Sequence, residues 1–326
     1  MAGNVKPVPS GAWDTHHHIF EPDRFPFAEG RHFTPARASL EQLQKFEESI
    51  GVEHVCIAHG LSYGADCSSL LYYLGQFQGS ARGICVLNLE KITDDELNRY
   101  HEMGIRSVRL DFFRFNAVHD VVAQVQLIER TGHRLAQWQQ SNHSVSSPWS
   151  IQIQQPHLEF WPELRKAVAR CLVPVVVDHF ALIPASSLRA NDCTTNIQDA
   201  SYLEKNEQVG LAALRDALHD GNLWVKLSAP YRCSNRAESG YDDMRWLVRF
   251  FVEGNPKRML WGSDWPHTQR HQDRKANGCM DEEHFLSIDD RGWIESMSRW
   301  MSVDEWEDMW VRNPATFYDY SFWKSH

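Results

Sequence analysis

Along the chain, short apolar runs alternate with longer stretches in which apolar positions recur every three or four residues. The short runs are AWDTHHHI (12–19), HVCIAH (54–59), RGICVLN (82–88), SVRLDFF (107–113), SIQIQ (150–154), VPVVVDH (173–179), LWVKLS (223–228) and RMLWGSD (258–264). Their length and β-branched content predict eight strands. Between them, SLEQLQKFEESIG (39–51) has helical grammar: a Ser39 cap, Glu41 and Gln42 in the first turn, and a stop at Gly51. TDDELNRYHEMG (93–104) repeats it from Thr93 to Gly104, and helical spacing also marks 157–171, 209–221 and 242–254. Strands separated by helices predict an α/β protein with a parallel sheet. Eight such units in 326 residues fit a closed (β/α)8 TIM-type barrel, one domain with its core over 12–320. The competing reading, a doubly wound sheet, lacks a Gly-rich turn after the first strand.

Three stretches fall outside the alternation: 116–148, 183–206 and 266–287. Loops after strand C-termini form the mouth of a barrel. The second and third follow strands six and eight, so the expectation is elaborated loops shaping a substrate pocket at the C-terminal face. Their size suggests a substrate larger or more hydrophobic than a simple dicarboxylate.

Composition narrows the partners. A formal net charge of −10 argues against nucleic-acid and membrane-surface binding, which need a basic patch. No apolar run of about 18 residues predicts a membrane span, and the N-terminus does not read as a signal peptide. The seven cysteines form no CxxC pair, so neither a disulfide framework nor a thiolate zinc site is expected. The simple expectation is a reduced, cytoplasmic enzyme acting on a small molecule.

The chemistry sits at strand ends. In WDTHHHIF, alternation along a strand puts His16 and His18 on one face and His17 on the other. The sixth strand ends at His179 and the eighth at Asp264, so all four are expected in one mouth. Imidazoles and a carboxylate can hold one divalent metal with a position open for water, and the carboxylate can act as general base. Arg109 and Arg114 near the fourth strand end, and Arg232 after the seventh, are candidates for a substrate carboxylate or a developing oxyanion. The bland alternative for them is salt bridging on the rim. His59, Ser62 and Tyr63 after the second strand are weaker candidates to line the pocket. His267 is a candidate to orient Asp264 or to serve the turn. Asp178 is expected to be a structural anchor on the opposite face, and the basic WPHTQRHQDRK a solvated loop.

Together, DTHHHIF, VDHF, WGSDWPH and the near-terminal NPATFY resemble the amidohydrolase superfamily, most closely the amidohydrolase-2 branch that includes 2-pyrone-4,6-dicarboxylate lactonases. The resemblance runs from Asp14 to Tyr318 and implies a barrel hydrolase with His16, His18, His179 and Asp264 as metal or catalytic residues. The lysine and histidine that dinuclear members carry after strands four and five are missing here; RLDFF and IQIQQ stand there instead. A second ion is therefore not expected, and Gln154 is assigned to substrate. The resemblance leaves two versions open: one zinc or manganese ion, or metal-free catalysis by the same residues. It implies a monomer or homodimer that opens a carboxylated lactone or pyrone, with water activated by Asp264. The alternative is metal-dependent, non-oxidative decarboxylation of an aromatic or conjugated acid.

Overall fold

A computed structural model of the chain describes residues 4–142, 148–187, 203–270, 273–274 and 279–320. Eight parallel strands form a nearly closed barrel in sequence order: β1 Trp13–His17, β2 His54–Ala58, β3 Arg82–Cys85, β4 Ile105–Arg109, β5 Ser150–Ile153, β6 Val175–Val177, β7 Leu223–Ser228 and β8 Met259–Gly262. Each lies within, or two residues from, the run that predicts it. Helices run between them on the outside: α1 Leu40–Ile50, α2 Ser68–Gln76, α3 Asp94–Glu102, α4 Val121–Ser141, α5 Trp161–Arg170, α6 Lys205–His219 and α7 Arg245–Gly254. The caps explain several boundaries. Ser39 and Thr93 form capping boxes with Gln42 and Glu96, and Gly51 ends α1 in the left-handed conformation.

One expected loop is a helix. Residues 116–148 contain α4, 21 residues long and capped by Asp120. Its buried face runs Gln124, Ile128, Thr131, Leu135, Trp138, a helical stripe whose two polar members dilute its apolar signal. The polar QWQQS segment is its last turn, while residues 143–147 of that tract lie outside the described residues. So do 188–202, most of the second stretch expected to shape the pocket.

Two packed layers hold the barrel. Inward-facing Trp13, Cys56, Ile84, Val176, Trp224 and Leu260 fill the barrel with Phe317 and Tyr318 from the C-terminal segment. A larger shell between strands and helices buries the remaining aliphatic and aromatic residues. Each large side chain removed from water contributes about 1.5–3 kcal/mol.

The ring closes between β1 and β8 just beyond the regular ladders. Asp264 N–H donates to His16 O at 2.7 Å and His18 N–H to Trp265 O at 2.8 Å. Below this seam the Asp14 carboxylate accepts from the Ser263 N–H at 3.0 Å and, at 2.5 Å, from its hydroxyl. Gly262 is required here for space: a Cβ would stand 2.7 Å from His16 Cβ and 3.0 Å from its nitrogen. Gly262→Ala is therefore expected to cost about 2 kcal/mol, within the usual overpacking range, and to lower the thermal midpoint in circular-dichroism melts. An unchanged midpoint would mean that the seam has slack.

Candidate active site

The seam places Asp264 between His16 and His18, and β6 brings up His179. The Nε2 atoms of His18, His16 and His179 lie 3.5, 3.6 and 3.9 Å from Asp264 Oδ1. Each ring is held from behind. His18 Nδ1 meets the Ala58 carbonyl at 2.8 Å and His179 Nδ1 meets Ser228 Oγ at 2.8 Å. His16 Nδ1 faces Asp178 at 3.3 Å and the Lys226 ammonium at 3.3 Å. These contacts turn the Nε2 atoms toward one point, and His16 Nε2, His179 Nε2 and Asp264 Oδ1 are buried there with no hydrogen-bond partner. Orphaned buried polar atoms are costly; three around one centre fit a shared divalent cation once the imidazoles present lone pairs, and the backing contacts match those that orient metal-bound histidines.

The backbone is strained where these side chains emerge. His179, Phe180, Ala181 and Leu182 all have φ between 53° and 55°, a left-handed turn of non-glycine residues after β6. Ala229 after β7 and Asp264 after β8 are also left-handed, at 51° and 62°. Such a conformation costs roughly 1–2 kcal/mol per residue, and strain of this kind clusters at functional sites.

The electrostatics favour ligand-ready groups. Burial lowers His16, His18 and His179 below their ordinary range, keeping the imidazoles neutral. Burial alone would raise the Asp264 carboxyl. The Arg232 guanidinium and the surrounding imidazoles outweigh it and hold the group well below its usual range. Arg232 Nε donates to Asp264 Oδ2 at 2.8 Å and the Tyr231 hydroxyl donates to the same oxygen at 2.6 Å. One carboxylate oxygen thus faces the imidazoles while the other is saturated.

A cavity of 40 Å³ lies over this centre, bounded by His18, Asp264, Arg109, Arg232, Gln154 and Arg274 among others. Arg109 is only 6% exposed, yet among the described residues its guanidinium has no hydrogen bond or ion pair. Arg232, by contrast, is committed to Asp264 and to Thr268, at 2.9 Å from its hydroxyl.

The other candidates separate by position. Gln154 lines the cavity, but Arg114 is exposed and stands outside its lining. Ser62 donates to the Phe33 carbonyl at 2.9 Å, and the Tyr63 hydroxyl accepts from the Glu21 N–H at 2.9 Å, so both secure the wall behind the pocket. His59 is buried beside Tyr63 and does not line the cavity. The His267 side chain pairs with Asp290 at 3.2 Å, and only its N–H reaches the Asp264 carbonyl, at 2.8 Å. Asp178 differs from its expected place: it lies on the inward face with Val176 and meets His16 in the barrel interior, and His179 joins it there because the chain turns left-handed at His179. The basic segment after Asp264 is not simply solvated, since Arg274 lines the small cavity and Arg270 the larger one beside it. Sequence reasoning missed Tyr231 and Lys226 entirely. Lysine in the middle of the apolar run LWVKLS was the available signal for the second.

Two outcomes follow from these burials. Arg109→Met removes a nearly buried, unpaired cation, so the free protein is expected to gain about 1 kcal/mol in denaturant melts; carboxylate affinity is expected to fall about 100-fold, the worth of a charged hydrogen-bonded pair. A variant that is less stable would show that the guanidinium is already satisfied. For His59, burial lowers the folded-state value from 6.5 to about 4. The unfolded chain then binds the extra proton between these values, so stability falls as pH drops from 6.5 toward 4, by up to about 3 kcal/mol from this group. Urea midpoints at pH 7.5 and pH 5 should converge in His59→Asn relative to the parent.

A family model described as amidohydrolase matches residues 13–319. A 2-pyrone-4,6-dicarboxylate hydrolase of Comamonas testosteroni is 30% identical over 281 residues, 84% of this chain and 82% of that one. A 4-sulfomuconolactone hydrolase of Rhizobium radiobacter is 29% identical over 267 residues, covering 80% and 77% of the two chains. Among solved structures, an apo Agrobacterium tumefaciens protein superposes with a TM-score of 0.72 at 19% identity, over 97% of this chain and 98% of its own. By the span of the family match and by its relatives alike, the chain belongs to the amidohydrolase family.

Proposed function

We propose that the protein is a hydrolase that opens the ring of a carboxylated lactone or pyrone. The observation that carries this reading is the pairing, in one small cavity, of the Asp264 carboxylate with the unpartnered guanidinium of Arg109. A proton acceptor then stands beside an anion site, as hydrolysis of an acid-bearing ester requires. The relatives named as lactone hydrolases support the same chemistry.

Asp264 takes the proton of the attacking water, and the acyl carbon of the ring becomes tetrahedral. The ring C–O bond breaks, and Asp264 returns the proton to the departing ring oxygen. Arg109 holds the substrate carboxylate and Gln154 offers an amide to the ring. Arg232 and Tyr231 fix the carboxylate of Asp264, so it meets water in one orientation. His16, His18, His179 and Asp264 would hold one divalent ion. When bound, such an ion would polarise a carbonyl and lower the pKa of water to about 7. That contribution suits this site, because a carboxylate depressed by Arg232 is too weak a base for ordinary water.

The test is turnover of carboxylated pyrones and muconolactones, followed by loss of ring absorbance. Asp264→Asn is expected to lower kcat by 10²–10⁴-fold, the usual range for a lost general base, with the fold retained. Release of carbon dioxide in place of ring opening would overturn the reading in favour of decarboxylation. Metal content by mass spectrometry is expected to be about one zinc or manganese per chain, lost in His179→Ala. A folded, active preparation free of metal would remove the ion from the proposal.

A further inference from the structure

The small cavity does not end at the catalytic centre. It opens into a chamber of about 730 Å³ that shares Leu61, Arg109, Phe113, Gln154 and Arg232 with it. Phe112, Val118, Leu158, Leu182, Ile183 and Pro184 give the chamber a largely apolar wall. The left-handed turn after His179 builds part of that wall, since Ala181 and Leu182 lie on it. A volume of this size lies in the range that encloses a drug-sized ligand, well beyond the needs of a monocyclic acid.

The charges on the wall limit the ligand further. Arg232 is engaged by Asp264, Arg270 by Asp273 at 2.5 Å, and Arg274 by Glu283 at 3.0 Å. Among the described residues bounding the two cavities, Arg109 is the guanidinium without a partner. The chamber also carries the carboxylates of Asp111, beside His32 at 3.3 Å and within electrostatic reach of Arg109, and of Glu159 and Glu207, with Glu159 beside His157 at 3.4 Å. Among the described residues lining the chamber, a second anionic group would meet these carboxylates and no unpaired guanidinium or lysine.

We infer that the substrate is a monocarboxylate: its single acid group lies on Arg109, next to the reacting carbonyl, and an uncharged apolar arm of about two rings fills the chamber. This rests on the lactone-opening reading for the reaction, but the arm itself can be tested by binding alone. The relative named for a 2-pyrone-4,6-dicarboxylate acts on a smaller and more charged compound. The inference therefore separates this chain from that relative by substrate size and charge.

The first measurement is calorimetric binding of benzoate, biphenyl-4-carboxylate and biphenyl-4,4′-dicarboxylate to the whole protein, beside Arg109→Met. Burying one more aryl ring is expected to make the biphenyl monoacid bind about 100-fold tighter than benzoate. The diacid is expected to bind at least tenfold more weakly than the monoacid, and Arg109→Met to lose both monoacids. Equal affinities for benzoate and the biphenyl acid would overturn the inference, as would a diacid that binds best. The second measurement compares kcat/KM for a 2-pyrone-6-carboxylate bearing an aryl group and for 2-pyrone-4,6-dicarboxylate. A higher value for the aryl compound supports the inference, and a higher value for the dicarboxylate overturns it. If neither ring opens while the biphenyl preference holds, the arm site stands and the lactonase reading fails.

Discussion

Two backbone hydrogen bonds hold the molecule to its chemistry. Asp264 N–H to His16 O and His18 N–H to Trp265 O join the first strand to the last. The residues that close the barrel are therefore the residues whose side chains meet above the seam. Closure and site assembly are one event: a chain that fails to close its ring has no centre, since His16 and Asp264 are about 250 residues apart in sequence and meet only there. This is why Asp14 and Ser263, neither near the cavity, are tied by two hydrogen bonds just below. They hold the register that sets the imidazole-to-carboxylate distances.

The same region gathers several unfavourable features of the fold. His16 Nε2, His179 Nε2, Asp264 Oδ1 and Asp178 Oδ1 are buried without hydrogen-bond partners, the chain is left-handed at the ends of three strands, and a lysine lies wholly inside the barrel. Lys226 is made tolerable by the Gln152 side chain at 2.7 Å and the Thr15 carbonyl at 2.6 Å, and Gln152 in turn donates to Asp178 at 3.0 Å. Such a buried polar network is worth having only if its members are satisfied. Here Lys226 and Gln152 are satisfied toward the floor of the barrel, while unpartnered atoms gather toward the top, where Asp178 Oδ1, the Nε2 atoms of His16 and His179, and Asp264 Oδ1 lie. The deficit is directional, and it points where a ligand would supply the missing partner.

How much of this the sequence revealed follows from what periodicity can carry. The eight strands were legible because each is an apolar run buried on both faces. His16, His18, His179 and Asp264 were legible because strand ends in a barrel share one mouth. α4 was not, because Gln124 and Thr131 interrupt its buried stripe with polar groups satisfied locally, Gln124 by the carbonyls of Ala117 and Val118. The place of Asp178 is not legible because alternation sets it opposite His179, whereas it follows the inward face of Val176 and the left-handed turn at His179 brings both residues to one side. Arg109 and Arg232 read alike in sequence, both arginines near strand ends. Only their surroundings distinguish a guanidinium already holding Asp264 from one with nothing to hold. Arg270 and Arg274 were lost in a polar segment, since composition cannot tell which cations of a loop turn inward.

That difference between arginines divides the labour of the site. A guanidinium bound to the catalytic carboxylate tunes it and fixes its direction, but it cannot also neutralise a substrate without weakening its hold. A second, unpaired guanidinium is needed if the substrate is an acid, and an unpaired cation is tolerated in a folded protein only where binding returns more than its burial costs. Under the proposed reading Arg109 meets that condition, since it stands at the junction of two cavities, one small and one wide and apolar. Chemistry and selectivity are thereby separated in space. On that reading the seam fixes the reaction, while the chamber wall, built by the turn after β6, the segment before α4 and the residues leading into α5, selects what reaches it. The wall can vary without disturbing the ring closure, which is how one barrel can keep its chemistry while its substrates diverge.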